Sequence, residues 1–103
     1  MKERIRRLPK DRKEELLKAA LALAEKQGYM NVSRAAIAQR CGVSEALLSH
    51  HFGTMTEFRR TLMRYAVAHE NLSVVLQGLV DGNRYALKAP EALRARACAG
   101  LPS

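Results

Sequence analysis

The tripeptide Gly42-Val43-Ser44 constrains this chain more than any other feature, because of what flanks it. Upstream, Ile37 and Ala38 fall on the apolar face of one short helical segment. Downstream, Leu47, Leu48 and Phe52 recur at a spacing that anchors a second. A helix that ends in a left-handed residue favours glycine at that point, and Gly42 supplies it. Val43 then plugs the angle between the helices, and Ser44 is a good N-cap for the second. Glu45, Ser49 and His50 are left on the more exposed side. Helix, glycine turn and helix at this spacing is the helix-turn-helix pattern, whose second helix enters the major groove of DNA.

Charge points the same way. Eighteen Lys and Arg against ten Asp and Glu give a formal net charge of +8. An excess of this size in a chain of 103 residues favours a polyanionic partner. More than half of it is concentrated at the start, where Lys2, Arg4, Arg6, Arg7, Lys10, Arg12 and Lys13 outnumber Glu3 and Asp11. Residues 1–10 are therefore expected to form a basic arm able to follow a groove or a phosphate backbone, with Pro9 separating it from the first helix.

The rest of the pattern is helical. Hydrophobic residues make up 48% of the chain but aromatics only 5%, with no Trp, so the core must be aliphatic. Leu16, Leu17, Ala20, Leu23 and Ala24 mark a helix over residues 11–27 that Gly28 stops. Asn31 or Ser33 can cap the next helix, over residues 34–40. Gly53 breaks the chain after Phe52, and Thr54 or Thr56 caps a longer helix whose inner face carries Phe58, Leu62, Tyr65, Ala66 and His69. That helix ends near Asn71 or bends on through residues 72–80, and Asp81-Gly82-Asn83 is a turn signal. Pro90 is placed to open a last short helix. The expected fold class is all-α: a three-helix helix-turn-helix domain over residues 11–53, then a linking helix and a short helical segment over residues 54–103.

Other chemistry finds little support. His50 and His51 are adjacent, so on a helix they point in different directions, and no Cys, Asp or Glu stands at ligand spacing beside them. No metal and no cofactor are expected. Cys41 and Cys98 are widely spaced, and Cys41 lies in an apolar helical pattern as a buried thiol. There is no phosphate loop, no nucleophile beside a base and no plausibly paired carboxylates, so the chain is not expected to be an enzyme. No apolar run approaches the roughly 20 residues of a membrane span, and the charged N-terminus is not a signal peptide. These features place the protein in the cytoplasm, with no membrane partner.

The order of landmarks is similar to a known family. Leu16-Leu17-Lys18-Ala19-Ala20, Glu25-Lys26-Gln27-Gly28-Tyr29, Ser33, Ile37-Ala38, Gly42-Val43-Ser44, Leu48 and His50-His51-Phe52-Gly53 resemble the DNA-binding domain of the TetR family of bacterial transcriptional regulators. The resemblance covers residues 11–62. It implies three DNA-binding helices and a linking fourth, a recognition helix over Ser44 to His50, and a cap at Ser33 on the helix that backs onto phosphates. It also implies a homodimer that represses transcription at a two-fold symmetric operator. The chain departs from the family where Ser49 replaces a usual Tyr and Met55 a common Lys. It departs again at Glu45, where Lys or another polar residue is common, and at Leu47, where Thr is frequent.

Taken together, the expected contacts to double-stranded DNA are Ser33, Arg34, Ser44, Glu45, Ala46, Leu47, Ser49, His50 and Thr54, with Arg4, Arg6, Arg7 and Lys10 from the arm. Leu72, Val75, Leu76 and Leu79 are expected to build a dimer surface, in a stretch that otherwise covers the core. Only about thirty residues follow Asn71, too few to enclose a drug-sized pocket of several hundred cubic ångströms, so no small-molecule effector is expected. Two other functions fit the same residues. One is an accessory DNA-binding protein of a phage or plasmid, acting in replication, recombination or lysogeny control. The other is a helix-turn-helix-derived protein-interaction module, for which Ser49 and Met55 speak.

Overall fold

Side-chain caps divide this chain into helices, and most of them sit where the backbone must leave helical geometry. The computed structural model describes residues 9–99, with side chains from residue 11 onward. Seven α-helices follow in order: α1 Pro9–Gln27, α2 Arg34–Cys41, α3 Glu45–Phe52, α4 Met55–Ala68, α5 Leu72–Asp81, α6 Arg84–Leu87 and α7 Glu91–Cys98. A 3-10 turn over Tyr29–Asn31 joins α1 to α2. No strand occurs among the described residues, and the fold is all-α. None of these helices is long and apolar enough to cross a membrane.

The helix-turn-helix forms as its residues dictate. Ser33 Oγ accepts from Ala36 N at 3.1 Å to start α2, and Ser44 Oγ accepts from Leu47 N at 3.1 Å to start α3. Between them Gly42 takes φ 68°, and its N–H and that of Val43 return to the carbonyls of Gln39 and Ala38. That pair of bonds is the Schellman closure, which needs a left-handed residue at this point. Thr54 then opens α4 with a reciprocal capping box: Glu57 N donates to Thr54 Oγ1, and Thr54 N donates to Glu57 Oε1.

One boundary differs from the sequence expectation, and another is decided between its two alternatives. Pro9 does not separate the arm from α1 but opens the helix, where its missing N–H is one that the helix leaves unpaired anyway. Of the two ends considered for α4, the structure has the one near Asn71: the helix stops at Ala68 and does not run on into α5. Glu70 turns the chain at φ 54°, and Asn71 Oδ1 then accepts from Val74 N to start α5 afresh. Glu70 is held there by Arg96 of α7, 2.9 Å from its carboxylate. His69, expected on the inner face of α4, is instead its exposed C-cap, with its ring 4.1 Å from that of Tyr65.

One core runs through both halves of the molecule. Leu16 and Ala20 of α1, Ile37 of α2, Leu48 of α3 and Leu62 of α4 are joined in it by Val74 and Val75 of α5 and Leu93 of α7. Burying each of the larger side chains contributes roughly 1.5–3 kcal/mol. Val75 has no exposed surface and cannot form part of a dimer face. The apolar stripe of α5 points inward at that position because Gly78, one turn on, lets α5 close against Met63 and Ala86. Leu72, Leu76 and Leu79 are half-buried and pack against this core.

Candidate nucleic-acid interface

The face that α3 presents follows from how few of its side chains are anchored. Leu48 is the one fully buried residue of α3, and it lies with Ile37, Phe52 and Phe58 around a tight interior junction that Arg34 and Met55 also line. The rings of Phe52 and Phe58 meet edge to face, 4.9 Å apart. Anchored on this side, α3 leaves Glu45, Ala46, Ser49 and His50 exposed on the other. Glu45 and Ser49, like Ala46 and His50, are four residues apart and so form adjacent rows along one surface. Leu47 is half-exposed and does not pack against the core cluster, so it goes with this surface and is not an anchor.

The caps add donors at the edges of that surface. Ser33 and Ser44 are both exposed, and in each the hydroxyl oxygen is used as an acceptor, which leaves the O–H free to donate to a phosphate oxygen. Thr54 differs. Its hydroxyl also lies 3.3 Å from Glu57 Oε1, so its proton is turned toward a carboxylate and Thr54 serves first as a cap. Arg34 is half-buried at the first turn of α2. Arg4, Arg6, Arg7 and the side chain of Lys10 lie outside the described residues.

Electrostatics distinguish the two histidines. The rings of His50 and His51 stand 5.4 Å apart, nearly perpendicular. His51 is half-buried and its pKa is lowered, first by burial and then by the neighbouring His50, Lys13 and Arg12. It is therefore neutral near pH 7, while exposed His50 faces outward as a hydrogen-bonding group. Lys13 of α1 places its Nζ over the Phe52 ring, 5.9 Å from the centroid. Arg12 and Lys13 thus reach the end of α3. In the sequence they counted only toward the charge of the arm; the signal for their position was their place on α1, one turn before Leu16 and Leu17.

Nothing in this surface is arranged for covalent chemistry. Cys41 is half-buried, and burial followed by the nearby Glu15 carboxylate pushes its thiol pKa up, away from a reactive thiolate. Among the described residues no group of three His, Cys, Asp or Glu side chains could hold a metal ion. What the surface offers is hydrogen bonding and charge: hydroxyls at two helix starts, an imidazole, a carboxylate and several cations.

Comparison with known proteins bears on the same residues. Residues 16–62 match the bacterial regulatory proteins of the tetR family. The chain is 35% identical over 72 residues to the HTH-type transcriptional regulator BetI of Serratia proteamaculans (strain 568), covering 68% of this chain and 36% of the relative. It is 35% identical over 63 residues to BetI of Pectobacterium carotovorum subsp. carotovorum (strain PC1), covering 61% and 32%. With BetI of Yersinia pestis (strain Pestoides F) it shares 34% identity over 58 residues, covering 56% and 29%. The chain thus spans about a third of the length of these curated relatives. No solved structure gives a significant match.

Proposed function

This chain belongs to the tetR family of bacterial regulatory proteins through residues 16–62, and from that premise we propose that it is a sequence-specific DNA-binding regulator of transcription. The observation that carries the reading is the form of α3: a helix that buries Leu48, packs Phe52 beside it and is capped by Ser44, with Glu45, Ala46, Ser49 and His50 exposed side by side. It acts in the cytoplasm as a homodimeric repressor, placing two copies of α3 in successive major grooves of a symmetric operator, roughly 34 Å apart. The naming of the relatives as HTH-type transcriptional regulators supports it.

Binding energy divides by residue. Ser33, Ser44, Arg34, the backbone amides at the starts of α2 and α3, and the basic residues Arg4, Arg6, Arg7 and Lys10 supply phosphate contacts, which weaken as salt rises. Glu45, Ala46, Leu47, Ser49 and His50 face the base edges. Glu45 is an acceptor suited to the N4 amino group of cytosine, and Leu47 and Ala46 offer apolar contact to a thymine methyl. Ser49 presents only a small hydroxyl, so in the second turn of α3 His50 offers the larger hydrogen-bonding group. Leu72, Leu76 and Leu79, half-buried on α5, are the residues of the expected dimer set that retain surface for a second copy.

Selection of randomised duplex DNA by the purified chain at near-physiological salt, followed by footprinting, tests the reading. Enrichment of a two-fold symmetric site with a sharp footprint is the expected result. Absence of enrichment, with binding that disappears on every sequence alike as salt rises, contradicts it.

A further inference from the structure

Among the described residues three large apolar side chains are exposed, Met30, Val80 and Leu87, and two of the three line one shallow groove. The Tyr29–Asn31 turn forms one wall and the end of α5 the other, where Leu76 and Val80 lie one turn apart. The groove measures about 450 Å³. Val80 is 74% exposed although the neighbouring stripe of α5 is buried. Apolar residues scattered singly over a surface call for no explanation, but residues gathered in one place mark a surface that something covers. None of them belongs to the exposed face of α3.

The polar side chains of the groove are already paired within the chain. Gln77 accepts from Tyr29 N at 2.7 Å and donates to Ala24 O at 3.0 Å. The Tyr29 hydroxyl donates to Asp81 Oδ2 at 2.7 Å, and Asn31 Nδ2 donates to Gln27 O at 2.7 Å. Covering the groove strands none of these donors, so Met30, Leu76 and Val80 can be buried at little desolvation cost. What stays open at the rim is acceptor. Asn31 Oδ1 and Asp81 Oδ1 receive no hydrogen bond among the described residues, and no cation lines the groove. Tyr29, Met30 and Asp81 also line a neighbouring cleft, whose other wall carries Arg59 and Arg60 from α4. Exposed Met30 thus stands between a basic side and a side that offers acceptors.

We propose that this groove receives a second copy of the chain, the two copies meeting through the same patch about a two-fold axis beside Met30. A patch with a basic side and an acceptor side is self-complementary under such an axis. The two-fold sets Arg60 of one protomer against Asp81 of its partner, and the reverse pair forms across the axis. At a net charge of +8 two copies repel one another over most approaches, whereas here a cation-free groove faces the arginines. The homodimer rests on the reading above, and the face it uses is new: of Leu72, Leu76 and Leu79, Leu76 alone lines the groove. Groove and cleft together fall short of the roughly 20–30 residues a side of a standard interface, so this dimer is a weak one.

The test is sedimentation equilibrium of the whole chain, without DNA, over micromolar to millimolar concentrations. A reversible equilibrium between monomer and dimer is expected. Val80→Asp alters a side chain that the single chain leaves in solvent, so the fold is kept, and association should weaken about tenfold or more. Arg60→Asp and Asp81→Arg each set like charges against one another across the axis and should weaken association to a similar degree. An equal mixture of these two variants restores opposite charges at both pairs and should associate about tenfold more tightly than either alone. Rescue on mixing requires this two-fold register and does not arise from damaged folding. A chain that stays monomeric throughout overturns the surface and the homodimer with it. Undiminished association in Val80→Asp, or a mixture of folded variants no tighter than its components, overturns the surface alone and moves the copies to another face. Neither result bears on whether α3 discriminates DNA sequences, which the selection of duplex DNA reads.

Discussion

Helices α3 and α5 are built with the same local devices and end in opposite roles. Each opens on a polar cap, Ser44 in one and Asn71 in the other, and each ends at a glycine with positive φ. Yet α3 buries Leu48 alone, whereas α5 buries Val74, Val75 and Gly78 and packs against α4, α6 and α7. The caps determine where the helices begin. How many side chains the interior takes determines what remains for a partner. A helix with a single deep anchor can present a whole face, and one with three is largely consumed by its own chain.

The contrast can be broken most severely at its anchor. Leu48→Ala is expected to cost about 2–5 kcal/mol, because truncating a buried leucine loses transfer energy and leaves a cavity. Urea denaturation should show it as a lower midpoint. Gly78→Ala attacks the other side of the comparison. An added Cβ would lie 2.7 Å from both Ala86 Cβ and Met63 Cε, so α5 must move away from α4 and α6. The expected loss is about 1–3 kcal/mol, read from the thermal midpoint, and binding measured well below that midpoint should be unchanged.

Caps give a subtler separation. Ser44→Ala and Asn71→Ala should each cost about 1 kcal/mol of stability in parallel denaturation curves. Only Ser44→Ala should also weaken binding to duplex DNA, since its hydroxyl borders the proposed contact surface. Equal affinity losses in both would mean that binding follows stability and not position.

The smallest effect concerns His51. Its folded pKa lies below the unfolded value, so the unfolded chain takes up its proton first as pH falls. Its contribution is therefore complete above the unfolded pKa of about 6.5 and is lost as pH drops through the lower folded value. A stability profile from pH 8 to pH 5 should slope less in His51→Gln than in the parent chain.

The helix-turn-helix was legible because its signals are local. Gly42, Val43 and Ser44 act within a few residues of themselves, and the Thr54-x-x-Glu57 pattern of a capping box stands in the sequence even though Thr56 was an equal candidate for the cap. The second half was harder for the opposite reason. Val75 and Leu76 both lie in an apolar run, and periodicity alone does not tell which stripe meets the core; contact with Met63 and Ala86 across Gly78 decides it. The turn at Glu70 carries no glycine to announce it. Nothing local to Tyr29 shows that it is fastened to α5 by residues about fifty positions away: its N–H donates to Gln77 Oε1 and its hydroxyl to Asp81.

The central claim is that the exposed face of α3 discriminates between DNA sequences, and His50 tests it most directly. His50 is exposed, so replacing it should alter stability by no more than about 0.5 kcal/mol. Affinities of the parent chain and His50→Ala should be measured at one salt concentration on the selected operator and on a scrambled duplex of equal length. The account predicts a loss of about 1–3 kcal/mol on the operator and little change on the scrambled duplex. Equal losses on both, or no loss on either, would contradict it and remove this face of α3 from sequence readout.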